Sequence, residues 1–207
     1  MAKARVVVGV ADHNGWAALV SVRVKDGSPE VVDRRRVELI EPGLPKQPYE
    51  HETVGMNVVE AERLVQEVRE SAVHCAERAL SRLRSGLGTA REIVSIALRT
   101  APLPRLPGTV KEVHASWYLI ARADAMVYHD ALCTSAASLG IKVATFARGD
   151  ERPRAAEATA TKEERLGRFL SGLRESLGPP WQQDHQAAAA RAIAALGRYT
   201  TLRLEPR

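Results

Sequence analysis

The distribution of apolar and polar residues along the chain predicts a series of strands and helices. Apolar and β-branched runs predict five strands, near residues 5–12, 16–24, 30–40, 92–98 and 141–147. Apolar residues at steps of three and four predict four helices, over 57–84, 110–139, 161–177 and 184–197. Residues 41–55 show no such period and contain three prolines, so we expect a long loop there.

Short turn signals set the topology of these elements. Asn14-Gly15 and Asp26-Gly27 are pairs that tolerate positive φ and are typical of β-hairpins, so the first three strands should form an antiparallel meander. A helix between the fourth and fifth strands implies a parallel crossover. We therefore predict an α/β fold with a mixed five-stranded sheet flanked by helices. The first strand is the most uniformly apolar and should lie in the interior of this sheet.

Local signals also predict details of the helices. Thr161 and Glu164 have the spacing of a capping box, after a loop that contains Pro153. In the helix over 110–139, we expect Trp117-Tyr118 to pack in the core, and Asp124 and His129 to lie on a solvated face.

Composition is that of an ordinary globular protein. Of 207 residues, 45% are hydrophobic and 27% charged, and no linker separates two cores, so we expect a single domain over residues 1–207. The formal net charge of +5 permits nucleic-acid binding but comes from scattered arginines. The densest clusters, at 34–36 and 148–154, are equally compatible with a phosphate-binding face and with an ordinary arginine-rich surface.

The sequence favours a cytoplasmic protein. The first apolar run is too short for a signal peptide or a membrane span, and we expect no association with membranes. Cys75 and Cys133 stand in helical patterns without a second metal ligand at suitable spacing, which indicates free thiols in a reducing compartment. The sequence leaves the oligomeric state open, and a dimer is compatible with it.

The order of the elements resembles that of the ribonuclease H-like superfamily, which includes Holliday-junction resolvases, transposases and several exonucleases. Two segments carry the local resemblance. VVVGVADHNGWAALV is similar to the first strand with its leading Asp, and WQQDHQAAAARAIAAL is similar to the closing helix with its Asp before small residues. The segments PYEHE, LGPPW and DHQ resemble a bacterial family within this superfamily, and that closer resemblance implies no function.

The superfamily resemblance implies a metal-dependent nuclease or phosphodiesterase that acts on nucleic acid. Such nucleases hold divalent ions, Mg²⁺ or Mn²⁺, between carboxylates from strand one, from the end of strand four and from the last helix. Asp12 matches the first position and Asp184 the third, so both would be catalytic residues and metal ligands. The middle position does not match, because strand four ends in Leu98-Arg99-Thr100.

Other side chains could complete or replace this acidic site. Glu52 in the long loop is the candidate third metal ligand. Arg99 would suit direct phosphate binding if its side chain points inward. His13, His51 and His185 stand next to these acids and could bind metal or transfer protons.

Each of these residues also has a structural interpretation. Asp12 could bond its own backbone in the turn, Asp184 could be a helix N-cap, and the histidines could be exposed to solvent. If the closing helix packs beside strand one, the carboxylates of Asp12 and Asp184 should lie within about 4–8 Å of each other. The chain is thus either a nuclease with an incomplete acidic site, for which we expect little cleavage, or a binding or assembly module that has lost catalysis.

Overall fold

The computed structural model describes residues 3–204 of the chain. In order, its elements are β1 (Ala4–His13), β2 (Trp16–Lys25), β3 (Ser28–Glu38), α1 (Val58–Leu87), β4 (Arg91–Arg99), α2 (Val110–His114), α3 (Trp117–Ser138), β5 (Lys142–Phe146), α4 (Glu151–Ala158), α5 (Glu163–Leu177) and α6 (Gln183–Leu196). A π-helical turn, Pro48–Glu52, lies between β3 and α1. No helix within residues 3–204 is both long enough and apolar enough to cross a membrane.

The strands form one mixed sheet with the order β3-β2-β1-β4-β5. The β1–β2 and β2–β3 pairs are antiparallel, whereas β1–β4 and β4–β5 are parallel. β1 is central, and its residues 6–11 are buried because both faces of the sheet are covered by helices. The predicted α/β fold with three antiparallel and two crossover strands is confirmed.

Both predicted hairpin turns are present, with different backbones. Asp26 and Gly27 both have positive φ, at 51° and 81°, as a type I′ turn requires. In the first turn Gly15 has positive φ, and the flanking pair is His13 with Trp16. Asp12 pairs with Ala17 inside the ladder. It is therefore a strand residue, and its interpretation as a turn residue is wrong.

Side chains of β1 alternate between two cores. Val6, Val8 and Val10 pack into the core formed with α1 and α3. Val7 and Ala11 pack into the core formed with α4, α5 and α6. This alternation is the ordinary period of two along a strand, and it decides which helices each residue at the end of β1 can contact.

Helix α6 lies directly on β1 at Gly9. A Cβ atom added to Gly9 would overlap the carbonyl oxygen of Ala188. Ala188, Ala189 and Ala190 are fully buried, and their short side chains allow this approach of the two backbones. The contact places the N-terminal turn of α6 beside the carboxyl end of β1.

The predicted helix over 110–139 is two helices, because Ser116 takes an extended backbone between them and is the N-cap of the second. α3 then begins at Trp117. His129, which contacts the backbone of Arg99 at the end of β4, follows twelve residues later, about 18 Å along the helix. Trp117 and Tyr118 are consequently 70% and 55% exposed, and their predicted place in the core is wrong.

Two other local predictions are also wrong. The predicted capping box at Thr161 is absent, because α5 begins after Lys162 without a side-chain cap. Pro153 lies in the first turn of α4 rather than in a loop, at a position where its missing N–H costs no hydrogen bond.

Candidate functional site

The carboxyl ends of β1 and β4 form the candidate site. These two strands are parallel neighbours, and their last paired residues are Gly9 and Ala97. Beyond that pair the two strand ends border a cavity of about 390 Å³. It is lined by residues of β1, β2, β4 and α3 and of the first turn: Asp12, His13, Asn14, Trp16, Arg99 and Ala125. Crevices outside the carboxyl ends of parallel strands are common binding sites in α/β folds.

Asp12 and His13 lie on opposite faces of the sheet. Asp12 shares its face with Val10 and with its cross-strand partner Ala17, both of which belong to the α1 and α3 core. His13 lies on the face covered by α6. Of these two residues, His13 is therefore the one whose side chain contacts the closing helix.

His13 binds Asp184 and is held in place by a stack of rings. Its Nε2 lies 3.2 Å from Oδ1 of Asp184. The imidazole stacks on Trp16 at 4.1 Å between ring centres, with 7° between the planes. The guanidinium of Arg36 lies over the Trp16 ring, 3.9 Å from its centre. Trp16 thus contacts both His13 and Arg36. The predicted separation of the Asp12 and Asp184 carboxylates stays a prediction.

Asp184 is the second residue of α6. Gln182 occupies the N-cap position, so the interpretation of Asp184 as the N-cap is wrong. Its carboxylate nevertheless lies in the first turn, where the helix dipole favours negative charge. His185 is buried and accepts a hydrogen bond from the backbone N–H of Gln182 at 3.3 Å. Burial and the nearby charge of Arg34 lower the pKa of His185, so a neutral capping imidazole is favoured.

Arg191 reaches from α6 to the backbone at the end of β1. Its Nη1 donates to the carbonyl oxygen of Val10 at 2.7 Å, and its Nη2 lies 3.7 Å from Oε1 of Glu151 on α4. Its side chain is 9% exposed, and its Nε has no hydrogen-bond partner among the described residues. Arg191 was not among the predicted site residues. The feature of the sequence that could have indicated it is a single arginine in an alanine-rich helix, seven residues or two turns after Asp184.

Two further basic groups lie at this edge. Arg99 ends β4 and lines the cavity, and its guanidinium has no hydrogen-bond or ion-pair partner among residues 3–204. Its backbone oxygen lies 3.1 Å from Nε2 of the buried His129. Asp130 and Cys133, whose side chains face Nδ1 of His129 at 3.6 and 3.8 Å, raise the pKa of His129 to about 10, which favours the protonated ring at neutral pH. The predicted solvated position of His129 is wrong.

The residues at the strand ends do not fit a divalent ion. Such an ion needs several oxygen ligands, whereas the part of the chain that is described contains no group of three or more His, Cys, Asp or Glu side chains that could hold one. Arg99 stands where a carboxylate is expected, and Arg191 places a buried positive charge at the end of β1. These charges oppose the binding of a cation there.

Glu52 and His51 lie outside any such group. Both are exposed on the π-helical turn, which is anchored through its backbone. Asp124, buried on α3, accepts hydrogen bonds from the N–H groups of Tyr49 and Glu50 at 3.0 and 3.2 Å. Burial raises the pKa of Asp124 to about 6. The segment PYEHE is therefore a structural anchor, and the predicted solvated position of Asp124 is wrong.

The arginine cluster at 34–36 is engaged within the protein. Arg34 donates to the backbone carbonyl oxygens of residues 177–180 at 2.6 to 3.1 Å. Arg35 binds Asp33, and Arg36 binds Glu38. The segment LGPPW is thus held by Arg34 and positions the start of α6. This cluster is an internal scaffold rather than a free phosphate-binding face.

Comparisons with known proteins identify the fold. No family model matches the sequence, and no curated protein matches it. The structure of RuvC from Thermus thermophilus aligns with a TM-score of 0.53 and 14% identity, over 96% of this chain and 98% of that chain. A structure of T. thermophilus RuvC in complex with a Holliday junction substrate aligns with a TM-score of 0.49 and 16% identity, over 94% of each chain. The first of these likenesses shows the fold alone: the chain has the ribonuclease H-like fold that its element order predicted.

Proposed function

We propose that this protein is a nucleic-acid-binding module of ribonuclease H-like fold that binds phosphates at the carboxyl ends of β4 and β5 without metal-dependent cleavage. The observation that carries this proposal is Arg99. Its guanidinium lines the cavity at the strand ends and has no partner among the described residues. A guanidinium without an internal partner at the mouth of a cavity is suited to bidentate binding of a phosphate.

The neighbouring strand adds a second basic group. Arg99 pairs with Phe146 in the β4–β5 ladder, so Arg148 follows directly beyond the same edge. Arg148 is exposed, and its side chain also has no partner within residues 3–204. Two available guanidiniums at adjacent strand ends match successive charges along a nucleic-acid backbone better than they match a single small anion.

Binding assays test this proposal. Fluorescence anisotropy would be measured with single-stranded, duplex and four-way-junction DNA and with RNA, in EDTA, over a range of salt concentrations. We expect Arg99→Ala and Arg148→Ala each to weaken binding and to lower the slope of log affinity against log salt by about 1. Arg82→Ala is the matched control, because Arg82 is exposed in the last turns of α1.

Two results would contradict the proposal. The first is the absence of binding to all four nucleic acids at low salt. The second is equal loss of affinity in Arg82→Ala and Arg99→Ala, which would indicate attraction by net charge rather than binding at the strand ends.

The second candidate function is a metal-dependent nuclease that uses Mg²⁺ or Mn²⁺. The observation that favours it is the contact of His13 with Asp184, which joins the end of β1 to the acid of the closing helix. Cleavage of any of the four nucleic acids with Mg²⁺ or Mn²⁺, abolished by both Asp12→Asn and Asp184→Asn, would establish this function instead. The two free cysteines support a cytoplasmic location for either function.

A further inference from the structure

We propose that Arg191 is a built-in cation that takes the place of a bound metal ion at the carboxyl ends of β1 and β4. The side chain is anchored at this position by geometry. Its Nη1 donates to the carbonyl oxygen of Val10, one residue beyond the last β1–β4 pair, and its Nη2 faces Glu151. Helical side chains incline toward the N-terminus of their helix, so the guanidinium is carried toward Asp184 and the strand ends.

The charges around Arg191 indicate what it balances. Burial lowers the pKa of Arg191, whereas the carboxylates of Glu151, Asp12 and Asp184 raise it, and Arg99 lowers it. Of these three acids, Glu151 on α4 is in direct contact with the guanidinium, at 3.7 Å. Glu151 is itself largely buried and uses its other oxygen to accept the N–H of Gly149 at 3.0 Å. A buried carboxylate of this kind needs a permanent positive partner.

The hydrogen bonding of Arg191 is incomplete. One short bond to Val10 and one longer ion pair leave Nε without a partner among the described residues, although the side chain is more than nine-tenths buried. A residue retained for its hydrogen bonds would satisfy more of its five donors. We therefore infer that Arg191 contributes mainly through its positive charge. A metal cation at the same place would be repelled by that charge.

The experiment compares two substitutions of Arg191 by thermal unfolding, with EDTA or millimolar Mn²⁺. Arg191→Met removes the charge and keeps an unbranched apolar chain, whereas Arg191→Lys keeps the charge. We expect Arg191→Met to lower Tm by about 10 °C and Arg191→Lys by less than half of that. Mn²⁺ should leave the wild type unchanged and raise Tm of Arg191→Met by about 4 °C. Adding Glu151→Gln to Arg191→Met should remove that rise.

The control is Arg152→Met, one residue after Glu151 and exposed, which should match the wild type throughout. A rise in the Tm of the wild type with Mn²⁺, lost in Asp12→Asn, would overturn the inference. So would equal effects of the Met and Lys substitutions, or a folded Arg191→Met without a Mn²⁺ response. If Arg191→Met does not fold, the wild type and Arg191→Lys test the inference. The inference then requires that Arg191→Lys folds and that the Tm of both proteins is the same in Mn²⁺ and in EDTA. No nucleic acid is used, so this result is independent of the proposed binding function.

Discussion

The two faces of the sheet are covered in different ways. On one face α1 and α3 pack through large side chains such as Leu80, Leu132 and Tyr128. On the other face α6 packs through alanines and touches the backbone of β1 at Gly9. Large side chains can adjust around a change, whereas two backbones in contact cannot. The position of α6 on the sheet is therefore more narrowly determined than the positions of α1 and α3.

This difference assigns separate roles to the two faces. The closely packed helix carries Asp184 and Arg191, whose charged groups meet the strand ends. The opposite face carries Asp124 and His129, which are buried and hold the backbone of the π-helical turn and of Arg99. Helix α6 thus brings charged groups to the strand ends, and α3 holds the neighbouring backbone in place.

The largest expected effect is that of Gly9→Ala on the α6 face. The added methyl group would overlap the carbonyl oxygen of Ala188, and backbone must move to admit it. We expect a loss of about 4 kcal/mol or more in the free energy of unfolding, or failure to fold, measured by urea denaturation. Gly167→Ala is the matched control, because nothing lies within 4 Å of its added Cβ, and it should be neutral or stabilising by up to about 1 kcal/mol.

A Gly9→Ala protein with nearly the stability of the wild type would contradict the claim that α6 is held more tightly against the sheet than α1 and α3. That result would show that α6 can move away from β1 without loss, and the narrow positioning of Asp184 and Arg191 would no longer follow.

Leu80→Ala probes the other face. Leu80 is fully buried between α1 and the sheet, and its truncation should cost about 2–5 kcal/mol, through lost burial and a residual cavity. We expect the variant to remain folded, with the same salt-dependent binding to nucleic acid as the wild type, because α1 carries no group of the site. Denaturation and anisotropy on the same sample check both parts. Loss of binding in a folded Leu80→Ala protein would contradict the separation of roles.

Asp124→Asn should have the smallest effect and should show it as a change in pH dependence. The pKa of Asp124 is raised from 3.8 to about 6, principally by burial, so between these values the folded state binds a proton that the unfolded state has lost. The contribution of this group to the free energy of unfolding therefore falls as pH rises from about 4 to about 6. The wild type should lose stability over this interval relative to Asp124→Asn, measured by denaturation at several pH values. Parallel pH profiles would show that Asp124 does not titrate there.

Much of the fold could be predicted because it depends on local pattern. Five apolar runs, two hairpin turns and one crossover helix determined the mixed sheet with β1 in its interior. The break before Trp117 was not predicted, because the helical period continues across Ser116 and only packing against the π-helical turn shows where the helix bends.

The sequence by itself determined that Asp184 begins a small-residue helix and that Arg99 stands where an acid would be expected. Only the tertiary structure decided that Asp12 and His13 face opposite sides of the sheet, and that the guanidinium of Arg191 reaches the carbonyl oxygen of Val10 at the end of β1. The physical reason is that a strand shows its period of two without showing which helix covers each face. The charge at a site is likewise a sum over α4, α6, β1 and β4, elements that only folding brings together.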